Sequence, residues 1–274
     1  MDVSNDVQSW WRTSIIDMEP GRIGFRGYDI ADLISNAGFI EMIWLMTRGE
    51  LPGAAQARLL ERALVASVDH GPQAPSIAVS RMAVTCGLGL NGAIASAVNL
   101  LDDVHGGAGE QAVELFTDVV ARTEAGATPE AAAAAALDDW TRAHGKIVPG
   151  LGHRFHKDGD PRSPVLLGAV DAARDAGVVS GRFATAARAV ETALSRRKGR
   201  TIPLNIDGAT AVIFAELGFA APLARGLFCL SRSVGILAHA WEQSQQGGRN
   251  KGPTPPGYRW LYEGAAPRRI ATDN

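Results

Sequence analysis

Cys86 and Cys229 are the only two cysteines among 274 residues. Each lies in an apolar stretch. Such a pair offers no disulfide framework and no thiolate zinc site, and reads as buried reduced thiols. Excess charge is also missing. With a formal net charge of −2, nothing points to nucleic acid or an anionic membrane surface as a partner. The N-terminus, MDVSNDVQSW, lacks the basic start and apolar run of a secretory signal. No uninterrupted apolar stretch is as long as a bilayer span, so no membrane partner is expected and the expected address is cytoplasmic. Strand signals are sparse, and neither internal repeats nor a disordered linker divide the chain.

Apolar residues make up 46% and charged residues 20% of the chain, the balance of a globular protein. Its length allows one large core or two subdomains. Helical spacing dominates. Apolar residues at 39, 40, 43 and 44 share one helix face, with Asn36 as candidate cap, Gly49 as stop and Pro52 close behind. Further helices are predicted over about Ala54–Val68, ending at His70 before Gly71-Pro72, then Pro75–Thr85 and Gly92–Leu101. Thr128-Pro129-Glu130 opens an alanine-rich helix to about Ala143, with threonine as cap and proline in the first turn. Ser180 can cap a helix through Leu194, and another fills Arg225–Gln243. Thr201–Ile206 is the best strand candidate. The predicted class is all-α with at most a minor hairpin, for instance at Ser14–Arg22. From about Gln245 the chain turns rich in Gly, Pro and Arg, as a free end or an arm that packs on a partner subunit.

Three segments place a titratable side chain beside glycine or proline at a helix boundary. DVHGGAGE carries His105, with Gly106-Gly107 leaving room for close approach of a ligand. VPGLGHRFHKDGDPR (148–162) carries His153. PLNIDGAT carries Asp207, between the strand-like run and a helix. Each also has a plainer reading. His105 can serve only the carbonyls of a helix end, and Asp207 can be an N-cap for a helix beginning at Gly208. His153, His156, Asp158 and Asp160 form a polar run without a recognised metal-ligand spacing, so no metal is expected. Arg196-Arg197-Lys198-Gly199-Arg200 is either a solvated helix end or a pair of hands for phosphates.

Order and combination go further than any single segment. GFRGYDIADLI (24–34), TRGELP (47–52), DVHGGAGE, PGLGHRFHKDGDPR, PLNIDG and SRSVG (231–235) follow one another as in the citrate synthase superfamily, which the chain resembles from about Thr13 to Gly264. It is most similar to the citryl-CoA lyases, including the lyase module of ATP citrate lyase. The segment between RGELP and VASVDHGP is short, and VDHGP (68–72) and NIDGATAVIF (205–214) look like the lyase versions. In place of the synthase run of arginine, proline and a basic residue stands PTPPGYRWLYEG (253–264), which leaves Arg249, Arg259 or nothing as the substitute for the synthase arginine.

The resemblance implies a large helical domain (1–107 and 219–274) with a smaller inserted one (108–218), working at least as a homodimer. It implies that Asp207 handles the proton of the α-carbon and that His105 donates to the thioester oxygen. His153 would exchange a proton with the oxygen at the carbon released or attacked. A thioester α-carbon is a very weak acid, so the base and the hydrogen-bond donor must act together. Arg162, Arg232 and His70 match the family's substrate-binding positions; an arginine fork suits carboxylates. Val148, Pro149, Gly150, Leu151 and Gly152 match the adenine-binding turn, with Arg197 and Lys198 as partners for coenzyme phosphates. Coenzyme A would come as part of the substrate, with no permanently bound cofactor. The implied reaction is cleavage of citryl-CoA to acetyl-CoA and oxaloacetate. The alternatives are a short citrate or 2-methylcitrate synthase, and a family member that binds a CoA ester or a protein without turnover.

Overall fold

The computed structural model describes residues 9–153, 155–156 and 159–270. The described residues form eleven helices and one small antiparallel sheet, so the all-α reading with a minor hairpin holds. They separate into two compact units, Met1–Asp69 with Leu101–Arg232, and His70–Leu100 with Ser233–Asn274.

The first unit opens with the sheet. Strands β1 (Ile16–Glu19), β2 (Arg22–Phe25) and β3 (Tyr28–Asp29) pair in chain order, Ile16 opposite Phe25 and Gly24 opposite Asp29. Helix α1 (Ile30–Asn36) starts where the Asp29 carboxylate accepts the Ala31 N–H at 2.8 Å. Helix α2 (Phe39–Arg48) is not capped by Asn36, which closes α1 instead. Gly38 precedes α2, and Glu41 reaches back to the Gly38 N–H at 2.7 Å. Gly49 ends α2 in the left-handed region, φ +93°, as its lack of a Cβ permits.

Six more helices complete this unit: α3 (Ala54–Ser67), α6 (Ala108–Glu124), α7 (Pro129–His144), α8 (Arg162–Asp175), α9 (Arg182–Lys198) and α10 (Ile206–Glu216). Helix α10 lies at the centre. Every residue from Gly208 to Ala215 is buried, as expected of a segment apolar all round, and it packs on α3, α6, α8 and α9. Thr128 caps α7 as predicted, accepting the Ala131 N–H at 3.3 Å ahead of Pro129. Ser180 does not cap α9 alone. The Glu216 carboxylate accepts the Gly181 N–H (2.9 Å), the Phe183 N–H (2.8 Å) and the Ser180 hydroxyl (2.9 Å). Nor is Thr201–Ile206 a strand. Only Leu204 bridges to Leu151, because Pro203 has no N–H to offer and Ile206 already belongs to α10.

The second unit contains α4 (Pro75–Thr85), α5 (Leu90–Val98) and the later part of α11 (Ala221–Gln246). Arg81 on α4 pairs with Glu242 at 2.5 Å and donates to Gln246 at 2.7 Å. Among the described helices only α11 is long and apolar enough to cross a membrane by length and composition. Its sequence is interrupted by Arg225 and Arg232, charges that are costly in hydrocarbon. Neither cysteine is buried as expected: Cys86 is exposed at the end of α4, and Cys229 on α11 is half-buried. Residues 247–270 are exposed and without regular structure.

The remote cap on α9 is testable. Glu216→Ala leaves the N–H groups at the start of α9 without their acceptor and is expected to cost about 1–2 kcal/mol. Urea unfolding followed by circular dichroism would read the loss as a lowered midpoint, and Glu216→Gln should recover part of it.

Candidate active site

Asp207 stands in the first turn of α10, and the structure removes it from capping duty. Asn205 is the cap: its Oδ1 accepts the N–H of Asp207 at 2.9 Å and of Gly208 at 3.1 Å. The Asp207 carboxylate is thereby free for other work. Solvent still reaches the residue, but protein crowds it closely enough that burial pushes its carboxyl above the ordinary value, against the opposing pull of Arg232 and Arg162.

His153 is brought to the same helix end by its glycine-rich turn. The Gly152 N–H donates to the Pro203 carbonyl at 2.7 Å and the Asn205 N–H to the Gly150 carbonyl at 3.0 Å; the Asn205 side chain donates to the Gly152 carbonyl at 2.7 Å. Gly150, at φ +77°, faces Gly208 so closely that a Cβ on Gly208 would lie 2.3 Å from the Gly150 oxygen. Two glycines let two backbones touch. Beyond the turn, His153 Nδ1 accepts the N–H groups of Phe155 (3.0 Å) and His156 (3.1 Å). With Nδ1 so occupied, the neutral ring carries its proton on Nε2.

Arg162 opens α8 and is held by Asp160. The Asp160 oxygens accept Arg162 Nε at 2.9 Å and Nη2 at 2.8 Å, while Arg162 Nη1 donates to the Ala66 carbonyl at 3.2 Å. Three of the five guanidinium N–H bonds are thus committed, leaving one on each terminal nitrogen. Arg232 on α11 is buried, donates Nε to the Ser67 carbonyl at 3.0 Å and stacks on Phe228 at 4.8 Å. Burial pushes its guanidinium below its ordinary value, and the charges of Asp207 and Asp69 hold it up. Asp207, Arg162, Arg232 and Asp160 therefore form one electrostatic cluster.

His105 lies not at the end of a helix but in the turn between α5 and α6. Arg225 on α11 fastens that turn, pairing with Asp102, with Asp103 at 2.5 Å and with Glu110. Gly106 and Gly107 do not make room for a ligand. A Cβ on Gly107 would meet the Asp103 oxygen at 2.6 Å, and one on Gly106 would meet Leu101 and Phe228 at 3.2 Å. The turn folds onto itself and onto Phe228, one helical turn from Arg232. His70 belongs to the second unit, at a half-buried position before α4.

A cavity of about 570 Å³ opens beside His153, lined by Val148, Leu151, Gly152, Lys146, Lys198 and Arg200 among others. Pro149 and Gly150 are buried and do not line it. Arg197 faces elsewhere, pairing with Asp138 at 2.8 Å and donating to the Ala134 carbonyl at 2.6 Å. Arg200, which closes the basic run offered for phosphates, lines the cavity together with Lys198. Asn205 and Asp160 were legible as residues and not as partners. Asp158 of the polar run lies outside the described residues, among which no group of three or more His, Cys, Asp or Glu is placed to hold a metal ion.

The model of the citrate synthase C-terminal domain matches residues 5–58 and 54–253. A solved citryl-CoA lyase from Hydrogenobacter thermophilus superposes with a TM-score of 0.83 at 31% identity, over 96% of this chain and 98% of that one. ATP-citrate synthase subunit 1 of Sordaria macrospora is 29% identical over 85% of this chain, and citrate synthase of Acidithiobacillus ferridurans 28% over 87%. The chain spans 35% and 57% of the length of those two relatives.

Gly208→Ala puts a methyl into the Gly150 backbone. It is expected to cost about 1–3 kcal/mol and to displace the His153 turn, seen as a lower melting temperature and as changed exchange of the Phe155 and His156 amides.

Proposed function

The chain belongs to the citrate synthase family, and on that premise we propose that it is a citryl-CoA lyase, cleaving citryl-CoA to acetyl-CoA and oxaloacetate. The observation that carries this reading is the meeting, at the start of α10, of a carboxylate of raised pKa, two arginines and the His153 turn. The near-complete overlap with a citryl-CoA lyase supports the direction.

The hydroxyl oxygen and the α-carbon of the leaving acetyl group are bonded through one quaternary carbon and the bond to be broken, so a single carboxylate can reach both. Asp207 takes the hydroxyl proton. As the carbon–carbon bond opens, its electron pair passes to the thioester enolate, where His105 donates to the oxygen. Asp207 then returns its proton to the enolate carbon, and no net proton is gained or lost. His153 enters differently from the sequence expectation. Because its proton sits on Nε2, it donates to the alkoxide that becomes the ketone of oxaloacetate rather than taking the hydroxyl proton. Arg232 and the free edge of Arg162 suit the substrate carboxylates. The cavity beside His153 suits the coenzyme, with Lys198 and Arg200 taking over the phosphate role assigned to Arg197. His70 remains a candidate hydrogen-bonding group for substrate.

We further propose a homodimer. Val234, Leu237 and Trp241 form an exposed apolar stripe on α11, at the spacing of one helix face. The large domain with an insertion at 108–218 belongs to the same proposal.

Incubation with citryl-CoA, followed by product analysis, is the deciding experiment. Acetyl-CoA and oxaloacetate are expected; accumulation of free citrate and coenzyme A would mean a synthase, and no turnover a binding protein. Asp207→Asn is expected to lower kcat by about 10²–10⁴-fold. Since Asp207 must start as a carboxylate, the wild-type rate should fall as pH drops through its raised pKa. Replacing both Lys198 and Arg200 by alanine should raise KM on the order of 10-fold with kcat nearly unchanged.

A further inference from the structure

Asp160 has no part in the chemistry derived above, yet its side chain has no exposed surface. All of its lone-pair capacity is directed at two neighbours. One oxygen accepts the Arg162 N–H at 3.0 Å and Nε at 2.9 Å; the other accepts Arg162 Nη2 at 2.8 Å and the Ile206 N–H at 3.3 Å. The first neighbour is the arginine at the start of α8. The second is the backbone of the residue just before Asp207. A single buried anion thus ties the start of α8 to the start of α10.

We propose that Asp160 is a positioning residue for the carbon–carbon bond reaction, aiming Arg162 at the substrate carboxylate and fixing the turn that presents Asp207. The proposal rests on the roles given to Arg162 and Asp207 above. Asp160 cannot itself greet the substrate, because both oxygens are engaged and buried. Its charge is permanent in the working range. Burial pushes its carboxyl up, but the Arg162 fork and the N–H groups of Arg162 and Ile206 outweigh that and hold it at about 2. The permanent negative charge acts on Asp207 as well, raising it, and it offsets the Arg162 cation that would lower it.

Substitution separates this role from a merely structural ion pair. Asp160→Asn removes one negative charge near Asp207 and leaves the Arg162 cation without its countercharge. Loss of that negative charge lowers the Asp207 pKa, so the acid limb of kcat must move to lower pH. A loosened Arg162 must raise KM for citryl-CoA, by on the order of 10-fold. Asp160→Glu keeps the charge but displaces the fork, so it should keep the acid limb in place while still raising KM.

The experiment is a pH series of kcat and KM with citryl-CoA for the wild type and both variants, with folding checked by thermal melts. A shifted limb in Asp160→Asn, an unshifted one in Asp160→Glu and a raised KM in both support the proposal. Active wild type with folded variants that keep its KM and acid limb would overturn it. Should Asp160→Asn fail to fold, unchanged KM in Asp160→Glu would overturn it alone. A wild type inactive on citryl-CoA would instead sink the functional reading, and this proposal with it.

Discussion

Two peptide planes in van der Waals contact, at Gly150 and Gly208, set the distance on which the rest of the site depends. A Cβ at Gly150 would lie 2.7 Å from the Gly208 Cα, and one at Gly208 would lie 2.3 Å from the Gly150 oxygen, so a side chain at either position would force the His153 turn and α10 to shift. With both positions bare, the 150–152 turn and the 203–205 segment close on each other through three hydrogen bonds. The consequences run outward from there. His153 is delivered next to the first turn of α10, Asn205 is drawn into capping, and Asp207 is released from it. The cavity walled by Leu151, Gly152, Ile202 and Pro203 is the outer surface of the same junction. α10 can serve as the fixed member because it is buried on every side, and a close-packed core resists displacement.

Around that junction the charges alternate. Asp160 is answered by Arg162, and Arg162 and Arg232 together face Asp207. Burial makes each of these charges expensive to leave unpaired, so the cluster is a constraint on geometry as much as a source of potential. Its balance decides how strong a base Asp207 can be. The two cations pull its carboxyl down, and burial pushes it up. The balance is a carboxyl raised by burial and moderated by the arginines, a state suited to taking a proton and giving it back.

Local chemistry made much of this legible in the sequence. The helices with caps inside their own segments, such as α7 with Thr128-Pro129, and the stop at Gly49 were readable because the signal and its effect are neighbours. His105, His153 and Asp207 stood out through their glycine and proline settings and the order of their motifs. What escaped was non-local. The cap of α9 comes from Glu216, in a different helix, so Ser180 was credited with its work. Arg197 and Lys198 are adjacent in a basic run, yet a helix turns successive side chains about 100° apart, and only Lys198 meets the cavity. Asn205 and Asp207 compete for one cap, and two residues of spacing cannot tell which wins. The Gly106-Gly107 pair was credited to a ligand because its true neighbours, Asp103 and Phe228, are visible only after the turn has closed.

The two hydrogen bonds at His153 Nδ1 carry one further step of reasoning. Backbone N–H groups cannot reverse their polarity, so this imidazole is committed to donating through Nε2 whichever way the reaction runs. A donor at that oxygen favours the alkoxide over the hydroxyl, and therefore lowers the barrier from either side. Asp207 remains as the mobile proton carrier, loaded from oxygen in cleavage and from carbon in condensation. Such a site has no built-in direction. Which way the carbon–carbon bond moves is then decided by the fate of the thioester: a site that admits water to citryl-CoA drains it to free citrate, and one that keeps water from its carbonyl leaves only the exit through acetyl-CoA and oxaloacetate.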